Sequence, residues 1–336
     1  MSADSLAGQM RAAASSLLAS LDGRQRELAA RPFADDAARR WLEYRPRSRP
    51  GACIAELGGT ARKAAHRLLA TGLSEHAYAQ AMGIVALEEV LDAKEQWRRG
   101  RHSGDYWVSV YGEPDGDQPW SWRFEGHHLS VTMTVADQQV SPAPVFFGAN
   151  PACVSYAGRP VSRPLGPEED LVRALLDAMG PQARSAAVVA GQPPADIRTG
   201  TGPRASQSIE PPGVPATGLG PAARALLAQL VALYLDRLPA ELAAGQAARL
   251  DGSELHFAWE GPLTPGARHY YRVQGDDLLI EYDSTTSDGN HAHTVLRRPR
   301  SDFGDDVLAA HYHQEHGHQE HGHQEHGHQE DVRLAP

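Results

Sequence analysis

The chain has 336 residues, a formal net charge of −10 and two cysteines, Cys53 and Cys153. This length can bury one large core or two modest ones, and so few cysteines exclude a disulfide framework and a thiolate zinc cluster. The acidic balance argues against nucleic-acid binding, and no apolar run approaches the about 20 residues that span a bilayer. The N-terminal segment is typical of an amphipathic helix rather than a signal peptide. We therefore expect a cytoplasmic protein that binds neither nucleic acid nor a membrane.

Hydrophobic residues recur at helical spacing in five segments, residues 5–30, 60–71, 74–97, 168–179 and 221–244. Alternating apolar and polar residues predict strands at residues 106–111, 120–135, 140–148 and 255–296. The segment 120–135 reads as one long strand or as two strands joined at Gly126. Residues 191–221 are rich in Pro, Gly and Ser, which indicates a linker or a long loop.

The order of helices followed by strands occurs twice, which suggests an internal duplication. An offset of 149 residues aligns Gly112 with Gly261, Arg123 with Arg272, Gly126 with Gly275 and Leu129 with Leu278. We predict an α+β fold of two similar halves around a pseudo-twofold axis, each with helices packed on an antiparallel sheet. The alternative is that two β-rich segments share a few glycines by chance. The predicted units are an N-terminal helix and loop (1–50), a first half (51–190), a linker (191–220), a second half (221–311) and a disordered His-rich tail (312–336).

The segment from Leu278 to Val295 predicts two antiparallel strands around a polar turn, residues 284–290. With that turn, Asp283 lies opposite His291 and Glu281 lies opposite His293. Strand side chains alternate between faces, so these four groups share one face of the sheet. The segment therefore predicts a polar site of two carboxylates and two imidazoles.

His291 and His293 have the spacing at which a strand presents two nitrogens to one metal ion. Glu281 and Asp283 are candidate ligands, candidate acid/base groups, or partners that orient the imidazoles. Such a donor set suits Zn, Mn or Fe(II). The alternatives are a polar cross-strand ladder and metal-free acid/base catalysis.

Two further histidines, His127 and His128, are adjacent, so on a continuous strand they would point to opposite faces. His128 is the better candidate ligand, and His127 is either a second ligand or a core histidine. We predict that His128, His291 and His293 approach one another to roughly 3–4 Å between ligand nitrogens.

Four other residues are candidates for catalysis or substrate binding. Glu125 could act as a general base beside the histidines. Arg123, Arg272 and Tyr271 could bind a substrate, although structural ion pairs for the arginines and core packing for the tyrosine are the alternatives.

From His313 to Glu330 the pentad H-Q-E-H-G repeats almost perfectly. Many interchangeable imidazoles would bind Ni, Cu or Zn weakly, and so polar a segment is not expected to fold. The repeat is either a passive expansion or a segment for metal storage and delivery.

Several strings carry a resemblance to a known family: W-R-F-E-G-H-H-L-S, F-F-G-A-N-P-A, P-A-D-I, H-Y-Y-R, I-E-Y-D, N-H-A-H and D-F-G-D-D. Together they resemble the family catalogued as domain of unknown function 3500, from about residue 5 to His311. The resemblance implies no activity. From the residues we predict a metal-dependent enzyme acting on a small polar substrate, either a hydrolase or a non-haem oxygen-using enzyme. The alternative is a non-catalytic module that binds a metal or a small anion, and the sequence does not predict an oligomeric state.

Overall fold

The computed structural model describes residues 5–98 and 103–322, with side chains up to residue 314. Within these residues the helices are α1 (Leu6–Ser20), α2 (Gly23–Ala29), α3 (Asp36–Arg39), α4 (Gly59–Thr71), α5 (Glu75–Lys94), α6 (Gly166–Ala178), α7 (Pro181–Ala187), α8 (Pro221–Leu235), α9 (Ala240–Ala248) and α10 (Asp305–Gly322). The strands are β1 (Ala30–Arg31), β2 (Ala52–Cys53), β3 (Tyr106–Tyr111), β4 (Trp120–Gly126), β5 (Leu129–Ala136), β6 (Gln139–Ser141), β7 (Val145–Ala149), β8 (Val154–Tyr156), β9 (Arg159–Ser162), β10 (Val188–Ala190), β11 (Val214–Pro215), β12 (His256–Glu260), β13 (His269–Gly275), β14 (Leu278–Ser284) and β15 (Ala292–Arg297).

Among the described residues, thirteen strands form one continuous mixed sheet in the order β1-β3-β4-β5-β7-β15-β14-β13-β12-β10, with β2 on β3, β6 on β5 and β11 on β12. β1 with β3 and β10 with β12 pair in parallel, and the other pairs are antiparallel. The N-terminal strands of the sheet (β1–β7) meet the C-terminal strands (β10–β15) at its centre, where β7 pairs with β15. The predicted α+β class is confirmed, but the separate antiparallel sheets are replaced by one mixed sheet because this central pairing satisfies both inner edges.

One face of the sheet, which we call the helix face, packs against the long helices. Gly72, at the end of α4, lies so close to Trp122 of β4 that an added Cβ would be 2.7 Å from its ring. In the other part of the sheet, the hydroxyl of Tyr234 in α8 lies 2.8 Å from that of Tyr271 in β13. Buried aliphatic side chains from these helices and strands make one continuous core. Apolar burial on this face is the main source of stability.

Irregular chain covers the opposite face, which we call the loop face. Two segments contribute most: the N-terminal strap (residues 40–51) and the Pro/Gly strap (residues 191–213). A second small apolar cluster lies beneath them, formed by Leu42, Tyr44, Phe146, Ile197 and Val295. Both straps are thus held against β7 and β15, and the segment predicted to be a linker lies on the sheet.

Three predictions on organisation have different outcomes. Among the described residues, no helix has the length and apolar character needed to cross a membrane. The His-rich tail begins inside α10, and its part from residue 323 onward lies outside the described residues. The internal duplication stays a prediction.

Candidate metal centre

The E-G-H-H string folds as a hairpin turn between β4 and β5. Gly126 pairs with Leu129, so His127 and His128 are the two turn residues. His128 has a φ of 62°, which allows the chain to reverse within two residues. The imidazoles stack with their centroids 3.6 Å apart. The prediction that they point to opposite faces of a strand is therefore wrong, because the turn breaks the strand alternation.

Backbone hydrogen bonds fix this turn against the rest of the loop face. The amide of His128 donates to the carbonyl oxygen of Tyr44 at 3.0 Å, and the amide of Gly148 donates to the carbonyl oxygen of His128 at 2.7 Å. The hydroxyl of Tyr106 donates to the carbonyl oxygen of His127 at 2.8 Å. At Gly148 an added Cβ would lie 2.8 Å from Cδ2 of His128 and 3.1 Å from Cδ2 of His293. Glycine at this position leaves the space that the two imidazoles occupy.

The second hairpin has a different register from the predicted one. Asp283 pairs with His293 and Glu281 pairs with Val295, so each carboxylate is shifted by two positions from its predicted partner. The reason is the turn, which contains a one-turn 3-10 helix, Ser287–Gly289, and β15 begins only at Ala292. His291 thus precedes the strand instead of forming a rung of it.

The side chains of His128, His291 and His293 nevertheless converge. One donor atom of each lies within 4.8 Å of the others, and Nε2 of His128 is 2.8 Å from Nε2 of His291. Nδ1 of His291 lies 2.8 Å from the hydroxyl of Thr286. His128 and His293 are buried and His291 is half-buried. A tetrahedral or octahedral ion with bonds of about 2.1 Å needs nitrogens about 3.0–3.4 Å apart, so small ring movements would admit one.

Two carboxylates hold the remaining imidazole nitrogen of the buried strand histidine. Nδ1 of His293 lies 3.0 Å from Oδ2 of Asp283 and 3.0 Å from Oδ1 of Asp196. Asp196 also accepts a hydrogen bond from the hydroxyl of Tyr44 at 2.9 Å. Burial disfavours the charged imidazole, but Asp283 and Asp196 outweigh it and raise the pKa of His293 to about 10. Burial also raises the pKa of Asp283. Because both carboxylates lie at Nδ1, Nε2 is the nitrogen of His293 that remains for an ion.

Asp196 is a site residue that the sequence reasoning did not select. Its side chain is 41% exposed, whereas that of Asp283 is 1% exposed. The Pro/Gly strap brings it to the centre, and its carboxylate is held by the amide of Ile197, which donates to Oδ1 of Asp196 at 2.8 Å. The string P-A-D-I was the available signal, since it was one of the strings that carried the family resemblance.

Of the two predicted catalytic glutamates, neither reaches the three histidines. Oε1 of Glu281 accepts hydrogen bonds from the amide of Arg198 at 2.6 Å and from the hydroxyl of Tyr270 at 2.9 Å, and Thr199 also donates to this carboxylate. Glu281 therefore anchors the Pro/Gly strap. The expectation that it faces His293 is wrong because of the register shift.

Glu125 lies in an internal ion pair. Its carboxylate is 2.7 Å from Nε of Arg123 and 3.5 Å from Nε of Arg49, and all three side chains are buried. Burial raises the pKa of Glu125, against the opposing effect of the two arginines. The contacts are those of a structural ion pair, which was the alternative weighed for Arg123.

The proposed substrate-binding residues also have internal partners. Arg123 donates to the carbonyl oxygens of Ala38 in α3 at 2.9 Å and of Trp41 in the N-terminal strap at 3.3 Å. Arg272 lies 2.9 Å from Glu260 and donates to backbone carbonyls of the Pro/Gly strap. Tyr271 stacks on Tyr282 with centroids 5.0 Å apart, within the core of the helix face. The arginines thus tie the straps to the sheet, and Tyr271 packs in the core.

Two clefts flank the histidines. One of about 690 Å³ is lined by His127, Glu88, Arg47, Arg49 and Trp107 among others. Another of about 520 Å³ is lined by Thr285, Thr286, Arg268 and a wall of prolines. Thr286 is exposed, lines the second cleft and contacts His291, so this cleft lies next to the half-buried histidine of the three.

Comparisons with known proteins identify a family. The family model described as "Protein of unknown function (DUF3500)" matches residues 3–305. No curated protein and no solved structure matches the chain. The match covers both straps, both hairpins and every residue of the centre described above.

Proposed function

Because the chain belongs to the DUF3500 family of proteins of unknown function, we propose a function from the geometry of the centre: a metal-dependent hydrolase acting on a small polar substrate. A divalent transition ion would be bound by Nε2 of His128, His291 and His293. The observation that carries the proposal is the convergence of these three donors, within 4.8 Å of one another, on the loop face.

The surroundings of the three imidazoles support an ion. Histidines that bind metals in proteins almost always have the second ring nitrogen held by a carboxylate, a carbonyl or another polar group, which fixes the tautomer and the ring orientation. His293 has two carboxylates at Nδ1, and His291 has the hydroxyl of Thr286. The alternative is a polar cross-strand ladder on a solvent-facing sheet. Such a ladder would not require buried carboxylates that hydrogen-bond to a buried imidazole.

The donor set favours hydrolysis over oxygen chemistry. Non-haem iron oxygenases typically use two histidines and one carboxylate, whereas three histidines with an open position are typical of zinc that activates water. Here Asp283 and Asp196 lie behind His293, at Nδ1. The bound ion would supply a hydroxide at neutral pH by lowering the pKa of water. The protein would orient the three ligands and leave one coordination position of the ion, on the side of the half-buried His291, open to water or substrate.

The test of this function begins with metal analysis. The tail would itself bind metal, so the full-length chain should carry asparagine in place of its seven repeat histidines: His313, His316, His318, His321, His323, His326 and His328. We expect one tightly held zinc at the three histidines and its loss in His293→Ala, with circular dichroism unchanged. His256→Ala is the matched control because His256 lies on β12, at the far side of the sheet.

Activity should follow the metal. A panel of small carboxylic and phosphoric esters and amides should include a substrate that the zinc form cleaves and that His293→Ala does not cleave. A tightly held ion without turnover on any class would favour the non-catalytic binding module. Failure to retain any ion would overturn the proposal.

We further propose that the two β blocks arose by internal duplication, with the boundary near residue 163. β4 and β13 span the same seven positions at the offset of 149, and β5 and β14 begin at the same offset. Each block also has one short parallel strand, β1 or β10, at its outer edge. This boundary is earlier than the predicted end of the first half at residue 190, because α6 packs on α8 and β10 pairs with β12, which assigns residues from α6 onward to the second block. Because β7 lies in one block and β15 in the other, fragments 1–163 and 164–336 should associate through these strands when coexpressed.

A further inference from the structure

A second group of donor atoms lies beside the three histidines and shares one of them. One donor atom each from Glu88, His127 and His128 lies within 4.8 Å of the others. Oε1 of Glu88 is 2.5 Å from Nδ1 of His127. All three residues are buried. Glu88 comes from α5, so this group joins the helix face to the turn between β4 and β5.

We propose that Glu88, His127 and His128 bind a second divalent transition ion, so that the centre is dinuclear and His128 is common to both ions. The proposal rests on the proposed function for the first ion. One carboxylate and two imidazoles form a donor set that suits Zn, Mn or Fe(II). Nε2 of His128 faces His291, so Nδ1 would bind the second ion. Because a neutral imidazole has only one acceptor nitrogen, His128 would bridge the two ions as an imidazolate, with its ring proton released to solvent.

The backbone of the turn supports this reading. Residues other than glycine seldom adopt the left-handed region, and Asn, Asp and His do so more often than the rest. His128 adopts this conformation with a φ of 62°. As a result, the two imidazoles lie on one side of the turn, stacked at 3.6 Å. The turn therefore places two adjacent histidines on one side, which a continuous strand would not do. Stacked rings direct their nitrogens nearly in parallel, so one ring would rotate when both bind the ion.

The cleft of about 690 Å³ supplies access to this group. His127 and Glu88 line it, together with Arg47, Arg49 and Trp107. An ion at Glu88 would thus lie at the wall of a cleft large enough for a small molecule. In two-metal hydrolases, a second ion stabilises the leaving or attacking oxygen of the substrate. This places a small substrate with an anionic or polar oxygen in the cleft beside Arg47.

The test is a cobalt(II) titration of the full-length chain that carries the seven tail substitutions, followed by visible absorption. We expect two cobalt ions per chain. His127→Asn should leave one, at the three-histidine position, and His291→Asn should leave one, at Glu88. Glu88→Gln is a second variant for the same ion, since it removes the carboxylate charge while its amide can still hydrogen-bond to His127. Circular dichroism checks that each variant folds.

The outcomes separate this inference from the proposed function. A single ion that is lost in His291→Asn and retained in both His127→Asn and Glu88→Gln would overturn the second position and leave the first. A single ion with the reverse pattern would overturn the three-histidine position, and with it the dinuclear centre. Binding of no cobalt would overturn both.

Discussion

Gly148 offers the sharpest test of how ring positions control the centre. It lies in β7 opposite His293, where an added Cβ would be 2.8 Å from Cδ2 of His128 and 3.1 Å from Cδ2 of His293. Carbon atoms pack at about 3.5 Å or more, so His128 must move by about 0.7 Å. Metal sites tolerate about 0.2 Å in bond length. We expect Gly148→Ala to weaken zinc binding by about 10–100-fold, as other changes that misplace ligands do, and to cost about 1–3 kcal/mol through overpacking.

The assay is competition with a chromophoric chelator, using the full-length chain with the tail substitutions, together with urea unfolding. Gly191→Ala is the control, because an added Cβ there meets no atom within 4 Å. Its zinc affinity should equal that of the parent. If Gly148→Ala folds and binds zinc as tightly as Gly191→Ala, the contact with the two imidazoles does not govern the centre and the reasoning is refuted.

Three other changes test the roles assigned above. Asp196→Asn should lower zinc affinity by about 10–100-fold without unfolding, since it weakens only the hold on His293; equal affinity in chelator competition would contradict this. Arg123→Met should lower the free energy of unfolding by about 3–5 kcal/mol, because it leaves the buried Glu125 carboxylate with one partner fewer; little or no change in urea unfolding would contradict the structural role of this ion pair. Burial lowers the pKa of His269 to about 4, below its unfolded value of about 6.5, so the unfolded chain takes up the proton first and stability should fall as pH drops from about 6.5 to 4, by up to about 3 kcal/mol. In His269→Phe the stability between about pH 6.5 and 4 should fall less steeply than in the parent, and the remaining slope is set by His66, whose pKa burial also lowers, and by the buried carboxylates.

The three histidines were predictable because local patterns carry them. His291 and His293 follow a polar turn at alternating positions, and His128 belongs to an adjacent pair in a β-rich segment. The long helices and the central strands were also predictable, because hydrophobic periodicity is likewise a local pattern. Each of these features depends on neighbours in the sequence, and the α+β class follows from them.

The errors arose where the fold depends on distant contacts. Alternation continues from β4 into β5 across the turn, so only Gly126 indicated a break there. The register of the second hairpin depends on a 3-10 turn that polar composition does not specify. Asp196 and Tyr44 lie on straps without periodicity, whose paths are set by the sheet beneath them. Sequence patterns therefore located the imidazoles but missed one of the two carboxylates that orient His293.

The pairing of β7 with β15 also determines when the central part of the sheet can form during synthesis of the chain. β15 leaves the ribosome about 140 residues after β7, which is about 7–30 s at about 5–20 residues per second. During that interval the edge of Val145–Ala149 has no β15 to pair with, and its sequence V-F-F-G-A is the kind of apolar edge that recruits other strands. Until β15 is synthesised, this edge is open to pairing with strands of other chains. His291 and His293 emerge in the same late segment, so the proposed ion would join only after nearly the whole chain has been synthesised.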